Sequence, residues 1–337
     1  MNQLRDGFKR KIDYMRISIT DRCNLRCIYC MPAGLPRPIQ YKEILKYEEI
    51  VRIVTIAISS GVKKIRLTGG EPLIRKNVVE LVKMLKEIKG IEELSLTTNG
   101  IFLADYAEEL ADAGLDRVNI SLDSLNSERY KTITGGGNLD DVLKGIEAAE
   151  KHGLTPVKIN MVPVRGINED EIETFASLTF RAPYQIRFIE FMPFGSRESW
   201  TPERFISMDE IKSFAEKIGV LHPANLKKSG PARYYRFEGA LGVLGFISPL
   251  SNHFCNECNR LRLTADGKLR PCLFSETEID LKPALRSKFS SNDEIERLIN
   301  LAVQMKPRGH NINLADEKRT MLFSSLKNLK PMYKIGG

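Results

Sequence analysis

Short runs of apolar and β-branched residues recur along the first 191 residues, each about as long as a buried strand. The six predicted strands span residues 14–20, 63–68, 93–97, 117–122, 156–162 and 185–191. Between them, apolar residues return every three or four positions, the spacing of a helix with one buried face. The predicted helices span residues 47–60, 77–89, 104–113, 139–152 and 169–179.

Glycine follows four of these helical stretches, and it is a frequent helix stop because it adopts the left-handed backbone that ends a helix. These glycines are Gly61, Gly90, Gly114 and Gly153. Strands that alternate with helices predict successive βαβ units and a parallel sheet. Six units are too few to close an eight-stranded barrel, so we expect an α/β fold in the form of an incomplete (βα)6 barrel of the triosephosphate-isomerase type.

The alternation changes after about residue 193. A helix predicted at 208–218 is followed by short strands at 233–237 and 241–247, and a last helix is expected at 293–304. The segment Ala265-Asp266-Gly267-Lys268 is typical of a hairpin turn between strands at 260–264 and 268–273. We therefore divide the chain into a partial barrel, residues 1–195, and a β-containing extension, residues 196–337, that packs on the barrel.

The composition is that of a globular protein. Of the 337 residues, 42% are hydrophobic and 28% are charged, which excludes a disordered or collagen-like chain. No apolar run approaches the roughly 20 residues of a membrane helix, and the N-terminus lacks the apolar stretch of a secretory signal. These features predict a cytoplasmic protein. Its six cysteines are then better explained as metal ligands or catalytic thiols than as disulfides.

Three of the cysteines, Cys23, Cys27 and Cys30, lie within eight residues directly after the first predicted strand. Loops at the carboxyl ends of parallel strands carry the site in α/β folds, so this position suits chemistry. Three thiolates leave one iron of a cubane cluster open to another ligand. A structural zinc site completed by a distant ligand is the alternative, although zinc sites favour paired cysteines and four protein ligands.

The C-x3-C-x2-C spacing, with Tyr29 before the last cysteine, resembles the signature of the radical S-adenosylmethionine (SAM) enzymes. The resemblance implies a 4Fe–4S cluster on these three cysteines, whose open iron chelates the amino and carboxylate groups of SAM. Reduction of the cluster would cleave SAM to methionine and a 5′-deoxyadenosyl radical, while the protein positions and shields that radical.

The segment Gly69-Gly70-Glu71-Pro72 follows the second predicted strand. Glycines there let backbone approach a ligand closely, and a glutamate can accept hydrogen bonds from an ammonium group. Alone, this segment is an ordinary turn, but beside the cysteine motif it resembles the family's segment for the SAM amino group. The resemblance assigns SAM contacts to four residues: Tyr29, Gly70, Ser121 and Met192.

The other three cysteines, Cys255, Cys258 and Cys272, lie around the predicted hairpin. Zinc is a stronger rival here, because His253 offers a fourth ligand. The sequence FCNECNRLRLT at residues 254–264, continued by PCL at residues 271–273, resembles the GTP 3′,8-cyclase family of molybdenum cofactor biosynthesis. The resemblance covers nearly the whole chain, and it implies a second 4Fe–4S cluster whose open iron binds the guanine base.

Binding a triphosphate requires several cationic donors, and the planar fork of arginine suits phosphate oxygens. Each basic residue near the predicted strands is, taken alone, an ordinary surface charge. The resemblance assigns GTP contacts to Arg16, Lys64, Arg66, Thr97, Lys158, Arg187, Arg260 and Arg262. It gives Arg260 and Arg262 a catalytic role in placing GTP for the radical step, and it makes Gly336-Gly337 a tail that reaches the active site.

The family resemblance implies cyclisation of GTP to (8S)-3′,8-cyclo-7,8-dihydroguanosine 5′-triphosphate, the first step of molybdenum cofactor biosynthesis. The radical would take the 3′ hydrogen, C3′ would bond to guanine C8, and an electron and a proton would complete the product. The implied partners are a flavodoxin- or ferredoxin-type reductant and, as the next pathway enzyme, cyclic pyranopterin monophosphate synthase, with a homodimer as one candidate assembly. One departure is Lys9, where the family more often has glycine before the arginine, and it concerns a local turn.

Two other functions compete with this one. A peptide-modifying radical SAM maturase also carries C-terminal cysteines, usually more than the three present here. A zinc-stabilised nucleic-acid-binding protein would use the net charge of +8, but it would cluster its basic residues among exposed aromatics. Here the 51 basic residues are scattered among 43 acidic ones, and the chain has one tryptophan, so we expect neither nucleic acid nor a membrane as partner.

Overall fold

The computed structural model describes residues 3–31, 38–194, 200–226, 230–310, 312 and 330–336. Six parallel strands follow one another in chain order across its sheet, and at least one helix separates each strand from the next. They are β1 (Tyr14–Ser18), β2 (Lys64–Thr68), β3 (Glu93–Thr98), β4 (Arg117–Ser121), β5 (Lys158–Met161) and β6 (Gln185–Ile189). This arrangement agrees with the predicted incomplete (βα)6 barrel.

Helices flank these strands, and further helices follow in the C-terminal part. They are α1 (Tyr47–Ser59), α2 (Val78–Lys86), α3 (Leu103–Asp112), α4 (Ser127–Thr134), α5 (Leu139–Lys151), α6 (Ile172–Arg181), α7 (Met208–Glu216), α8 (Lys282–Arg286), α9 (Asn292–Gln304) and α10 (Met332–Ile335). Helices α5 and α7 begin at side-chain caps, where the Asn138 side chain accepts from the Asp140 amide and the Ser207 side chain accepts from the Glu210 amide. The sequence pattern missed α4, α8 and α10.

The predicted helix stops are confirmed. Gly61, Gly90, Gly114 and Gly153 all have positive φ, at 114°, 104°, 89° and 74°. At these values glycine avoids the Cβ clash that other residues suffer, so each helix ends where the chain turns back toward the sheet. The predicted helix at 169–179 begins with a 3-10 turn at Glu169–Glu171 and becomes α-helical only at Ile172.

The C-terminal part extends the sheet at both edges. Its strands are β7 (Leu221–Pro223), β8 (Arg233–Phe237), β9 (Val243–Ile247), β10 (Arg260–Leu263), β11 (Lys268–Arg270) and β12 (Ile279–Asp280). The sheet order is β12-β11-β10-β1-β2-β3-β4-β5-β6-β9-β8-β7, with β10 parallel to β1 and β9 parallel to β6. The extension therefore pairs with the barrel strands, and does not only pack on them.

One buried apolar cluster joins the sheet to the helices around it. It includes Ile17 of β1, Leu67 of β2, Leu96 of β3 and Leu263 of β10, all fully buried. Within the described part of the chain, no helix has both the length and the apolar character needed to cross a bilayer.

Candidate active site

A cavity of about 340 Å³ is lined largely by side chains of the parallel strands and by the loops at their carboxyl ends. This end of an α/β sheet is where ligands bind in such folds. Every cysteine and every SAM- or GTP-contact residue predicted from the sequence lies in the lining: Arg16, Cys23, Cys27, Tyr29, Cys30, Lys64, Arg66, Gly70, Thr97, Ser121, Lys158, Arg187, Met192, Cys255, Cys258, Arg260, Arg262 and Cys272. The fold thus brings the two distant cysteine groups to one space.

The first cysteine site, Cys23, Cys27 and Cys30, lies in the loop that follows β1. The amide of Cys30 donates to the Cys27 carbonyl at 3.0 Å, and the neighbouring Arg26 amide donates to the Thr134 carbonyl at 2.8 Å, at the end of α4. Burial raises the pKa of Cys27 well above its usual value, and the charges of Cys30, Asp123 and Cys23 add to that effect. Burial and these neighbouring charges therefore disfavour an unliganded thiolate at Cys27.

Gly70 allows the second loop to lie against the cysteine loop. Its amide donates to the Thr20 carbonyl at 2.7 Å, and a Cβ at this position would come within 2.1 Å of the Arg22 carbonyl oxygen. No residue other than glycine fits such a contact without backbone movement.

The carboxylate of Glu71 is held by hydrogen bonds from nearby backbone amides and a hydroxyl group. Its carboxylate accepts from the amides of Leu73 and Asn99, at 3.0 and 2.7 Å, and from the Thr98 hydroxyl at 2.8 Å. Burial nevertheless raises the pKa of Glu71 to about 7. This carboxylate therefore fixes the loop after β2 to the end of β3, beside Cys23.

Buried Asp123 and half-buried Tyr29 form a hydrogen-bonded pair at the first cysteine site. The Tyr29 hydroxyl donates to Asp123, which also accepts from the Val162 amide at 2.9 Å. Burial raises the pKa of Asp123 to about 6. Asp123 lies two residues after Ser121, a SAM contact predicted from the sequence, but only the fold shows that it orients the aromatic residue within the cysteine motif.

The second cysteine site, Cys255, Cys258 and Cys272, forms where the β10–β11 hairpin brings Cys272 back to the 3-10 turn Cys255–Glu257. Burial raises the pKa of Cys255. At Cys258 burial acts in the same direction, but the charges of Lys306 and Arg260 outweigh it and lower the pKa. The second site therefore lies in a cationic environment.

The donor set of each cysteine site determines which metal group it can hold. Among the described residues, no three His, Cys, Asp or Glu side chains are arranged as a shell around a single ion. A cubane cluster makes a different demand, since each thiolate binds a different iron. Each site offers three half-buried free thiols that open onto the cavity, a donor set that fits such a cluster.

Strand register sets the cationic side chains in rows. Arg16 of β1 is paired directly with Arg262 on one side and Arg66 on the other. Burial lowers the pKa of Arg66 and of Arg262 to about 10, and neighbouring arginines add to the effect. Like charges directly opposite each other on strands are unfavourable, so these rows favour binding of a polyanion.

Lys158 extends this cationic surface from β5. Burial lowers the pKa of Lys158 to about 6, and the charges of Arg117, Arg187 and Arg66 contribute. Among the described residues, the buried polar atoms of the cavity lining that have no hydrogen-bond partner include Thr97 Oγ1, Asn160 Oδ1 and Arg187 Nε. Buried polar atoms are normally paired, so these atoms point to a ligand in the cavity.

The C-terminal tail enters the same cavity region. The Gly336 carbonyl accepts from Arg262 Nη1 at 2.6 Å, and a Cβ at Gly336 would come within 2.8 Å of the Thr68 side chain. Gly336 has φ of 71°, which again suits glycine. Its predicted partner in the tail, Gly337, lies outside the described residues.

The contacts of several residues near the site are not predictable from the sequence. Asn119 accepts from Arg187 at 2.8 Å, and Lys306 and Arg10 contact the backbone of the second cysteine site. His253, the candidate zinc ligand, lies in the lining with its ring 5.1 Å from that of His310. A lone lysine or arginine far along the chain cannot be connected to a site without the fold.

Comparison with known proteins gives the following matches. Residues 17–179 match the radical SAM superfamily, and residues 184–312 match the family described as Molybdenum Cofactor Synthesis C. A GTP 3′,8-cyclase of Thermodesulfovibrio yellowstonii is 52% identical over 336 residues, covering 99% of this chain and 100% of the relative. The GTP 3′,8-cyclase of Pelotomaculum thermopropionicum is 50% identical over 336 residues, again with 99% and 100% coverage.

Solved structures give a more distant similarity. Streptococcus suis SuiB bound to S-adenosylmethionine aligns with a TM-score of 0.61 at 15% identity, over 83% of this chain and 65% of SuiB. SuiB bound to its precursor peptide SuiA aligns with a TM-score of 0.60 at 13% identity, over 86% of this chain and 66% of SuiB. At these identities the match is evidence for the fold alone.

Proposed function

The chain belongs to the GTP 3′,8-cyclase family of the radical SAM superfamily, and we propose that its cavity cyclises GTP to (8S)-3′,8-cyclo-7,8-dihydroguanosine 5′-triphosphate. This is the lyase reaction that opens molybdenum cofactor biosynthesis. One observation carries the proposal: two three-cysteine sites open onto a single cavity whose lining holds rows of half-buried and buried cations. A radical made at one site then acts on a polyanion held at the other.

The first cysteine site holds a 4Fe–4S cluster and SAM in this proposal. When bound, they supply a 5′-deoxyadenosyl radical that takes the 3′ hydrogen of GTP. Tyr29, fixed by Asp123, and Gly70, which brings backbone close to the cysteine loop, line the SAM side of the cavity. Ser121 and Met192 complete that side.

The second cysteine site and the cationic rows hold GTP. Cys255, Cys258 and Cys272 would hold the second 4Fe–4S cluster, which would supply a coordination position for the guanine base. The triphosphate is bound by Arg16, Lys64, Arg66, Lys158, Arg187, Arg260 and Arg262, with Thr97 as a further donor. Charge-assisted hydrogen bonds from arginine to phosphate are strong and directional, which fixes the ribose relative to the radical.

Arg260 and Arg262 have the second role of placing GTP for bond formation between C3′ and C8. Arg262 is 4% exposed and is tied to the tail through the Gly336 carbonyl, so its guanidinium is held in place before GTP binds. An electron and a proton delivered after ring closure complete the product. We further propose that the reductant is a flavodoxin- or ferredoxin-type protein.

The remaining partners are proposals of the same kind. Product passes to cyclic pyranopterin monophosphate synthase, and a homodimer is the candidate assembly. Six free thiols suit the reducing conditions of the cytoplasm. The boundary near residue 195 separates the partial barrel from the region that completes the second cysteine site.

The test is an anaerobic assay of the reconstituted protein. It should carry about eight irons per chain, four for each cubane, and convert SAM and GTP into 5′-deoxyadenosine and the cyclised nucleotide. Omission of GTP should suppress product formation. SAM cleavage that ignores GTP but responds to a peptide would overturn the proposal in favour of a maturase. Two bound zinc ions and no iron would favour the nucleic-acid-binding alternative.

A further inference from the structure

Lys306 is a buried lysine that contacts the second cysteine site from outside the hairpin. It follows α9, is 4% exposed, and its ammonium donates to the Arg260 carbonyl at 2.8 Å and to the Pro271 carbonyl at 2.7 Å. Arg260 begins β10, and Pro271 immediately precedes Cys272. One side chain thus joins the backbone on both sides of the hairpin at its cysteine-bearing end.

Arg10 reaches the same region from the N-terminal end of the chain. Its guanidinium donates to the carbonyls of Cys255 and Pro307, each at 2.6 Å, and to the Arg308 carbonyl at 2.9 Å. The planar guanidinium of Arg10 therefore links Cys255, the first cysteine of the site, to the segment that carries Lys306.

A hydrogen-bonded turn around Asp6 holds Arg10 in this position. Asp6 accepts from Arg10 Nε at 2.5 Å and from the amides of Phe8 and Arg10, each at 2.9 Å. Asp6 and Arg10 are 5% and 9% exposed, so the pair is shielded from solvent. Lys9 completes the turn with φ of 65°, the left-handed conformation that explains why glycine suits this position.

The groups around the second cysteine site favour negatively charged thiolates. The positive charge of Lys306 lies near Cys258, and a hydrogen bond from the His310 backbone to Cys255 favours the thiolate there. Removing either cation would leave buried backbone carbonyls without hydrogen-bond donors. Because these carbonyls belong to the segments that carry the cysteines, those segments would be destabilised.

We propose that Arg10 and Lys306 are positioning residues that form a clasp, one from each end of the chain, holding the three cysteine-bearing segments of the second site in register for its cluster. Arg10 holds the Cys255 segment, Lys306 holds Arg260 and Pro271, and residues 306–308 link the two. The proposal rests on the proposed function only in taking the three thiols as ligands of an iron–sulfur cluster. Residues that orient metal ligands from behind commonly change metal affinity about 10- to 100-fold when they are removed.

The clasp is tested by counting and releasing iron. Arg10→Leu and Lys306→Met proteins are reconstituted anaerobically beside wild type and two controls, Arg5→Leu and Arg308→Leu. Arg5 lies in the same N-terminal turn and Arg308 in the same C-terminal segment, and both side chains are exposed. Iron per chain, the SAM-induced change in the electron paramagnetic resonance spectrum and the rate of iron loss to a chelator are measured.

We expect wild type and both controls to hold about eight irons. The clasp variants should hold about four and keep the SAM-induced spectral change, which also shows that they fold. In any Lys306→Met protein that retains the second cluster, its reduction potential should become more negative, because a nearby positive charge favours the reduced state. Clasp variants that keep about eight irons and lose them at the wild-type rate would overturn the proposal.

A conservative variant guards against general loss of folding. Arg10→Lys keeps the positive charge but lacks the planar guanidinium and its several N–H donors. This variant should release the irons of the second site about tenfold faster than wild type, with the first site unchanged. Equal release would overturn the clasp even if Arg10→Leu lost both clusters. Wild type with only about four irons would instead contradict the proposed function, so the two failures are distinguishable.

Discussion

The first cysteine site lies within eight consecutive residues after β1, whereas the second takes its thiols from residues 255, 258 and 272, on both sides of a hairpin. The first site depends on local loop geometry and on the close approach of Gly70. The second site depends on contacts from both ends of the chain, through Arg10 and Lys306. Local spacing therefore indicates the chemistry of the first site, while only the fold explains how the second is held.

The two sites also differ in their charged neighbours. Cys23 and Cys27 lie near the carboxyl groups of Glu71 and Asp123, whose charges add to the effect of burial and raise the thiol pKa values. At Cys258 the neighbouring charges are those of Lys306 and Arg260, and the thiol pKa is lowered. A carboxyl-lined end suits the ammonium and sulfonium charges of SAM, and a cationic end suits a triphosphate.

The largest expected effects come from removing one thiol at each site. Cys27→Ala should abolish SAM cleavage, because the radical-generating cluster is lost. Cys258→Ala should keep SAM cleavage under strong reductant and abolish cyclisation, because GTP loses its orienting iron. Product analysis by mass spectrometry separates the two losses, and identical behaviour of the two variants would contradict the division of roles.

The next effect concerns the cationic rows. Arg262→Met should lower kcat/KM for GTP about 10- to 100-fold, the worth of a hydrogen bond to a charged group, with SAM binding retained. Arg236→Met is the matched control, since Arg236 is an exposed arginine on β8 outside the cavity lining. Equal kinetics for the two variants would remove Arg262 from the substrate site.

A smaller effect is proton uptake by Lys158. Burial and neighbouring arginines lower the pKa of Lys158 to about 6, so in the free protein it is largely neutral at pH 8. Phosphate oxygens favour its charged form and raise that pKa, so GTP binding takes up a proton and weakens as the pH rises above about 6. Calorimetry at pH 8 in buffers of different ionisation enthalpy should detect uptake approaching one proton.

The matched variants for this measurement are Lys158→Met and Lys151→Met. Lys151 is exposed at the end of α5, and its replacement should leave proton uptake unchanged. Lys158→Met should eliminate most of the uptake. If uptake persists in Lys158→Met, the proton goes to another group and Lys158 does not face the phosphates.

The smallest effect belongs to the turn that presents Arg10 to the second site. Lys9 has φ of 65°, a conformation that costs non-glycine residues about 1 kcal/mol. Replacement by glycine removes this strain from the folded state. Glycine also increases the conformational entropy of the unfolded chain, which offsets part of the gain in stability. Lys9→Gly should therefore raise the free energy of unfolding by about 0.5 kcal/mol, measured by anaerobic melting. Lys11→Gly is the control and should lower the stability; equal shifts would contradict the turn argument.

Sequence alone predicted the features whose signals are local. The six barrel strands were placed within two residues of their observed bounds, and the cysteine spacing indicated the first site. Helix α4 was missed because its sequence, SERYKTIT, has a weak apolar stripe, although its end holds the cysteine loop through Thr134. The pairing of β10 with β1 was not predictable either, because register between strands more than 240 residues apart depends on packing of the whole sheet.

The most direct test of a shared cavity follows the transferred hydrogen. Reconstituted protein is given SAM and GTP deuterated at C3′, and the 5′-deoxyadenosine is analysed by mass spectrometry. If SAM at the first site and GTP at the second meet in one cavity, deuterium appears in the 5′-deoxyadenosine as the cyclised nucleotide forms. Cyclised nucleotide accompanied by unlabelled 5′-deoxyadenosine would contradict the account.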